Sequence, residues 1–215
     1  MDQEMTNLPP TWNDLPDSGI HGIGAPATTA ARRAAEVCRQ AAQPYLANHS
    51  ARSYFWGAHL GALDGMEFDA ELLWVAALMH DLGLTADAPA DACFERVSAD
   101  IAADVLRGQG WPSGRISVVT DAIVLHMELQ MPAELSATAR LLDAGVSLDV
   151  SGRRFDEVPP ALREAVLAHY PRFDFKRRFE HRLDEVAAER PSCSTGPMLD
   201  EFGLRERIRN APWRE

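Results

Sequence analysis

Cysteine is scarce in this chain. Cys38, Cys93 and Cys193 are its three cysteines, an odd number at wide spacing with no CxxC pair. That pattern suits neither a disulfide framework nor a cysteine zinc site, and it implies a reducing cytoplasm. Long apolar runs are also missing. No stretch reaches the roughly 18 apolar residues that a bilayer span requires. The opening MDQEMTNLPPTWNDLPD carries acids where a signal peptide needs a basic patch and an apolar core. Positive charge is in deficit, with 21 Lys and Arg against 32 Asp and Glu and a formal net charge of −11. A field of that sign repels phosphate backbones and anionic lipid, which argues against nucleic acid and membrane as partners. The basic cluster Lys176–Arg178 is followed by Glu180, Asp184 and Glu185 and reads as a solvated helix face. Alternating strand patterns and internal repeats are absent as well.

What is present is the composition of one globular domain, 46% hydrophobic and 25% charged over 215 residues. Prolines and glycines up to about residue 25 predict an extended arm over 1–25, ahead of a helical domain over 26–190 and a C-terminal tail over 191–215 packed on that domain. Ala30, Ala34, Val37, Cys38 and Ala41 recur at helical spacing behind a Thr28 or Thr29 cap. Pro44 ends or kinks that helix, and the next pattern begins near Asn48. A third helix starts near Asp69 and is apolar almost all round, as a helix in the middle of a bundle must be. Further helical patterns cover Phe94 to Leu106, a stretch capped by Ser113 and ending at His126, and about 133–147, 160–169 and 175–189. The fold class is therefore all-α.

The chemistry gathers where histidines and acids sit in apolar frames. His80-Asp81 closes the most apolar helix and offers an imidazole nitrogen beside a carboxylate oxygen, a pair suited to a divalent metal of borderline softness. His49 lies at the head of a helix, His126 ends DAIVLH, and Asp149 lies in AGVSLDVSG. A buried acid such as Asp149 needs a partner to offset its desolvation. Drawn from at least three helices, His49, His80, Asp81 and Asp149 form the kind of set with which bundles build metal sites.

The order His, His-Asp, Asp resembles the HD superfamily of metal-dependent helical hydrolases. More narrowly, HSARSYFWG, FDAELLWVAALMHDLGLT, CFERVSADIAADVL, VTDAIVLH, AGVSLDVSG and HYPRFDFK are similar, in order, to the cyanamide hydratase-like HD family. The Leu15–Ser18 stretch echoes an N-terminal element of that family. The resemblance spans roughly Ser18 to Lys176. It implies an HD-type bundle in which His49, His80, Asp81 and Asp149 hold one divalent transition metal, Zn²⁺ first and Fe²⁺ as the alternative. Asp143 competes with Asp149 for the last position. The chain departs from the family at Arg96 to Asp100 and at Met127-Glu128, positions expected to line the substrate pocket.

A metal with an open position brings the pKa of water from 15.7 toward about 7. The implied activity is hydration of a nitrile-type small molecule such as cyanamide to urea, with hydrolysis of a nucleotide or small phosphate ester as the alternative. Glu95 and His126 are the candidates for proton transfer. The competing readings are a first-turn helix acid and a satisfied buried histidine. Arg52, one turn beyond His49, is positioned to orient a ligand carboxylate or to bind an anionic substrate, unless it is a plain surface arginine. Trp56, Trp74 and Phe55 read as core. Only Arg52, Arg96, Arg153 and Arg154 flank the motifs, which favours an uncharged substrate over a phosphate. No histidine falls between Asp81 and Leu125, which favours one metal over two. The arm and tail could reach a second copy in a homo-oligomer.

Overall fold

The computed structural model describes residues 19–86, 89, 91–128, 132 and 134–215. Most of the expected arm, including the stretch 15–18, lies outside the described residues. Ten α-helices follow in order: α1 Thr29–Ala41, α2 Pro44–Leu63, α3 Ala70–Met79, α4 Phe94–Gly108, α5 Ser113–Leu125, α6 Ala137–Ser151, α7 Pro160–His169, α8 Phe175–Glu189, α9 Thr195–Asp200 and α10 Leu204–Asn210. Short 3₁₀ turns occupy Leu82–Leu84 and Phe155–Glu157. Among the described residues there is no strand, and the fold is all-α as the sequence pattern requires.

The caps explain several boundaries. Thr28 accepts the Ala31 amide at the head of α1, and Asp69 accepts the amides of Glu71 and Leu72 at the head of α3. Pro44 opens α2 instead of ending α1, because the first turn of a helix has no use for the missing N–H. Asn48 is consequently inside a helix, and its side chain donates to the Pro171 carbonyl at 2.8 Å. Ser136 caps α6, and Gly152 stops it in the left-handed region at φ 75°. The helix expected over 133–147 thus runs four residues further, and Asp149 falls within its last turn.

Helix α2 is buried along nearly its whole length and packs most extensively on α6. Two glycines permit the approach. A Cβ on Gly145 would lie 2.0 Å from the Ser53 carbonyl oxygen, and one on Gly57 2.5 Å from that of Leu141. The helices therefore meet backbone to backbone, which fixes the distance between His49 on α2 and Asp149 on α6.

Cys93 and Cys193 form a disulfide across a sequence separation of 100, while Cys38 is buried and free. The expectation that no disulfide forms is corrected: the odd cysteine belongs to the core, and the other two are brought together only by the fold. The bond ties the residue before α4 to the loop before α9.

Two outcomes test this packing. Gly145→Ala, a change that ordinarily favours a helix by up to about 1 kcal/mol, is expected to destabilise the protein by about 2 kcal/mol in denaturant titration, since overpacking against backbone dominates. Reduction, or Cys193→Ser, releases a loop of about 100 residues. It is expected to remove on the order of 4 kcal/mol at most, seen as a fall in Tm of about 10 °C.

Candidate metal centre

His49 comes from the second turn of α2, where it is fully buried. His80 is the C-cap of α3, and Asp81 leads directly into the 3₁₀ turn. Gly83 lets that turn press on α4: an added Cβ would lie 2.0 Å from the Phe94 carbonyl oxygen, and the Gly83 amide donates to Ser98 Oγ at 2.8 Å. His126 is the C-cap of α5.

The three imidazoles are oriented alike. His49 Nδ1 donates to Asp149 Oδ2 at 2.8 Å, His80 Nδ1 to the Ala77 carbonyl at 2.7 Å, and His126 Nδ1 to the Ile123 carbonyl. With the proton held on Nδ1, each ring presents an Nε2 lone pair. All three point at one carboxylate, with His49 Nε2 3.6 Å and His80 Nε2 3.2 Å from Asp81 Oδ2, and His126 Nε2 3.7 Å from Oδ1. His49 Nε2, His80 Nε2 and Asp81 Oδ2 are buried without a hydrogen-bond partner. Lone pairs that face a buried carboxylate repel it unless a cation lies between them, and the donor atoms of His49, His80 and Asp81 all fall within 4.8 Å of one another. The residues present therefore fit a divalent metal with nitrogen and oxygen ligands.

Burial pushes His49 down from the usual histidine pKa, more than Asp149 pulls it up. Burial opposes the ionised form of Asp81 as well, but the neighbouring imidazoles, His80 foremost, outweigh it and hold its carboxyl far below the usual range.

Asp149, expected as the fourth ligand, stands on the other side of the His49 ring. Its Oδ2 takes His49 Nδ1 and Arg52 Nη2 at 2.8 Å each, and its Oδ1 takes Arg52 Nε at 2.8 Å, Trp56 Nε1 at 2.9 Å and Arg172 Nη1 at 3.2 Å. With both oxygens engaged, it orients the ring in the way carboxylates support metal-ligating histidines. Asp143 is farther out, paired with Arg153 at 2.5 Å on the rim of a cavity.

Arg52 does not meet substrate. It is completely buried, forks onto Asp149 and spends Nη1 on the carbonyls of Tyr170 and Pro171. The substrate-binding role is therefore corrected to the other one considered, orienting a carboxylate. His126 reaches Asp81 and lines the cavity. Glu95 is buried, with Oε2 lacking any partner, and among the described residues no hydrogen bond or ion pair joins it to the cluster.

The HD domain family model matches residues 46–169, more than half of the chain. The chain belongs to the HD domain family. HD domains bind divalent metals, and this HD domain is an enzyme of the metal-dependent hydrolase or hydratase kind. Similar proteins include the cyanamide hydratases DDI2 and DDI3 of Saccharomyces cerevisiae, each 22% identical over 188 residues that cover 85% of this chain and 84% of theirs.

Several contributors to the site carry no local signal in the sequence. Arg172 bridges Asp149 and Glu215. Phe175 stacks on His49 with ring centroids 4.7 Å apart. Trp213 stacks on Trp56 at 5.2 Å and donates to the Leu148 carbonyl at 2.8 Å. Trp56, read as core, is core and also a donor to Asp149.

Asp149→Asn leaves two buried arginines facing a neutral amide. The expected cost is about 3–5 kcal/mol in denaturation of the metal-free protein, with metal affinity lower by about 10–100-fold. Complete loss of metal with little loss of stability would instead mark Asp149 as a direct ligand.

Proposed function

We propose that this HD domain hydrates a nitrile-type substrate such as cyanamide, adding water across the C≡N bond to give urea. Its metal is one divalent ion, Zn²⁺ first and Fe²⁺ as the alternative, held by His49, His80 and Asp81. The observation that carries this choice over phosphate hydrolysis is the fate of the flanking arginines. Arg52 is spent on Asp149, Arg153 on Asp143, and Arg154 on Asp64 and Glu157. Arg96 lines a different surface depression, with Arg107 and Trp111. A phosphate at Asp81 would therefore meet a carboxylate with these cations already paired or elsewhere, and Arg207, the other arginine of the cavity wall, is turned to solvent, whereas a neutral nitrile needs no cation. The names of the yeast relatives point to the same chemistry.

When bound, a divalent cation supplies the Lewis acidity that makes water nucleophilic at neutral pH. The chain's own residues supply the rest. Asp149, held by Arg52 and Arg172, fixes the His49 ring. Phe175 and Phe179 pack against that ring and shield it from solvent. His126, whose Nδ1–H is committed to Ile123, offers Nε2 at the cavity wall to take the proton of the attacking water and return it to the nitrile nitrogen. Water and nitrile together account for every atom of the amide product. Glu95 is given no step, because among the described residues no hydrogen bond or ion pair joins it to the cluster.

No helix among the described residues is long and apolar enough to cross a membrane. The cytoplasm is the proposed compartment, on the odd number and wide spacing of the cysteines in the sequence. The Cys93–Cys193 bond weighs against it, since such bonds persist mainly in oxidising compartments.

Elemental analysis of the purified protein, followed by urea formation from cyanamide with p-nitrophenyl phosphate as the contrast, tests the reading. About one metal per chain and urea without phosphate release are expected. His80→Ala and Asp81→Ala should each lose metal and activity together while keeping a helical circular dichroism spectrum. Phosphate release without urea would overturn the hydratase assignment, and full metal content in either variant would overturn the ligand set.

A further inference from the structure

The cavity that ends at Asp81 and His126 is larger than cyanamide needs. It is partly open to solvent and has a volume of about 280 Å³. For comparison, an apolar cavity of about 150 Å³ accommodates benzene, and one water takes up about 30 Å³ in the liquid. Cyanamide has three non-hydrogen atoms and would leave most of the space unfilled.

The walls decide what could occupy the remainder. The apolar lining includes the buried Phe94, Met127, Val150, Phe179 and Leu183, with four less buried apolar side chains beside them. Carbon surfaces of this kind give ordered water no hydrogen-bond partners. They favour an apolar group, whose transfer from water scales with the area it buries. The charged residues Glu128, Asp143, Arg153 and Arg207 share the lining; Asp143 and Arg153 pair with each other, and Arg153 and Arg207 are exposed to solvent. Asp81 and His126 thus share one cavity with buried aromatic and aliphatic side chains, the usual form of a pocket that binds a small organic molecule through its body and orients it through a few polar groups.

We infer that the substrate of this enzyme is a nitrile-type head carried on an apolar body of about benzene size, such as an N-substituted cyanamide, with the head at Asp81 and His126 and the body against Phe94, Phe179 and Leu183. This rests on the hydratase reading and narrows it. The reaction is unchanged: R–NH–C≡N and water give the substituted urea R–NH–CO–NH₂, with no other reactant.

The test compares kcat/KM for cyanamide, N-propylcyanamide and N-benzylcyanamide on the metal-loaded full chain, which keeps the reacting head constant. One well-packed methylene in an apolar pocket discriminates by about tenfold or more, so the benzyl compound is expected to exceed cyanamide by at least about a hundredfold. Met198→Trp, which intrudes into the chamber, is expected to lower the benzyl-to-cyanamide ratio by at least about tenfold. As a readout without turnover, N-benzylurea should bind the metal-free protein at least about tenfold more tightly than urea does in calorimetry. Turnover of cyanamide with no preference for the benzyl compound, and no tighter binding of N-benzylurea, would overturn this inference and leave the hydratase reading standing. Failure to turn over any of the three would remove the hydratase reading and this inference with it.

Discussion

Asp149 is the group on which the rest of the centre depends. A carboxylate removed from water carries a penalty of several kcal/mol, and ion pairing offsets it only when geometry is good and the remaining lone pairs are satisfied. Here Arg52 supplies a fork, Arg172 a second guanidinium, and Trp56 and His49 one N–H each. Both arginines are held by further partners. Arg52 is pinned by two backbone carbonyls, and Arg172 by Glu215. The network is built on α2, α6, the Tyr170–Arg172 link between α7 and α8, and the tail, so satisfying one buried charge also locks four parts of the bundle together.

The metal centre inherits its geometry from that lock and from two helix ends. His80 and His126 are both C-caps, and each turns its Nδ1–H back onto a carbonyl three residues earlier. The same bond that satisfies a helix end therefore fixes a tautomer. His49 has no such carbonyl available in mid-helix and needs a carboxylate instead, which is why a buried acid with its own retinue of donors is present at all. The close contact of Gly145 with Ser53 sets that carboxylate at hydrogen-bond distance from the ring.

Much of this was legible in the residues. The apolar helix ending in His80-Asp81 could be read directly, because a fully apolar helix is buried and its last residues must face something. The limits of α7 and α8 also followed from their patterns and prolines. Pro44 was ambiguous, since the same proline can end one helix or begin the next, and only packing decides between them. Asp149 was recognised as a buried acid in need of a partner, but sequence spacing cannot say which side of a histidine ring it occupies. That depends on the 3.6-residue phase of α6, whose start was placed four residues early. Arg52 looked like a candidate for substrate because its partner lies 97 residues away. The Cys93–Cys193 pairing was hidden for the same reason, since contacts of that range are set by the bundle and leave no local pattern.

The tail has a consequence for the order in which the molecule is completed. Trp213 and Glu215 close the network, with Glu215 accepting from Arg172 and Trp213 covering Trp56. During synthesis the N-terminal elements emerge first, so a growing chain that already contains His49, His80, Asp81 and Asp149 still lacks the second carboxylate that balances Arg172. A buried polar network with one member missing is less stable than one complete. The metal pocket is therefore finished only once residues 213–215 have emerged, well after the residues of the metal cluster itself.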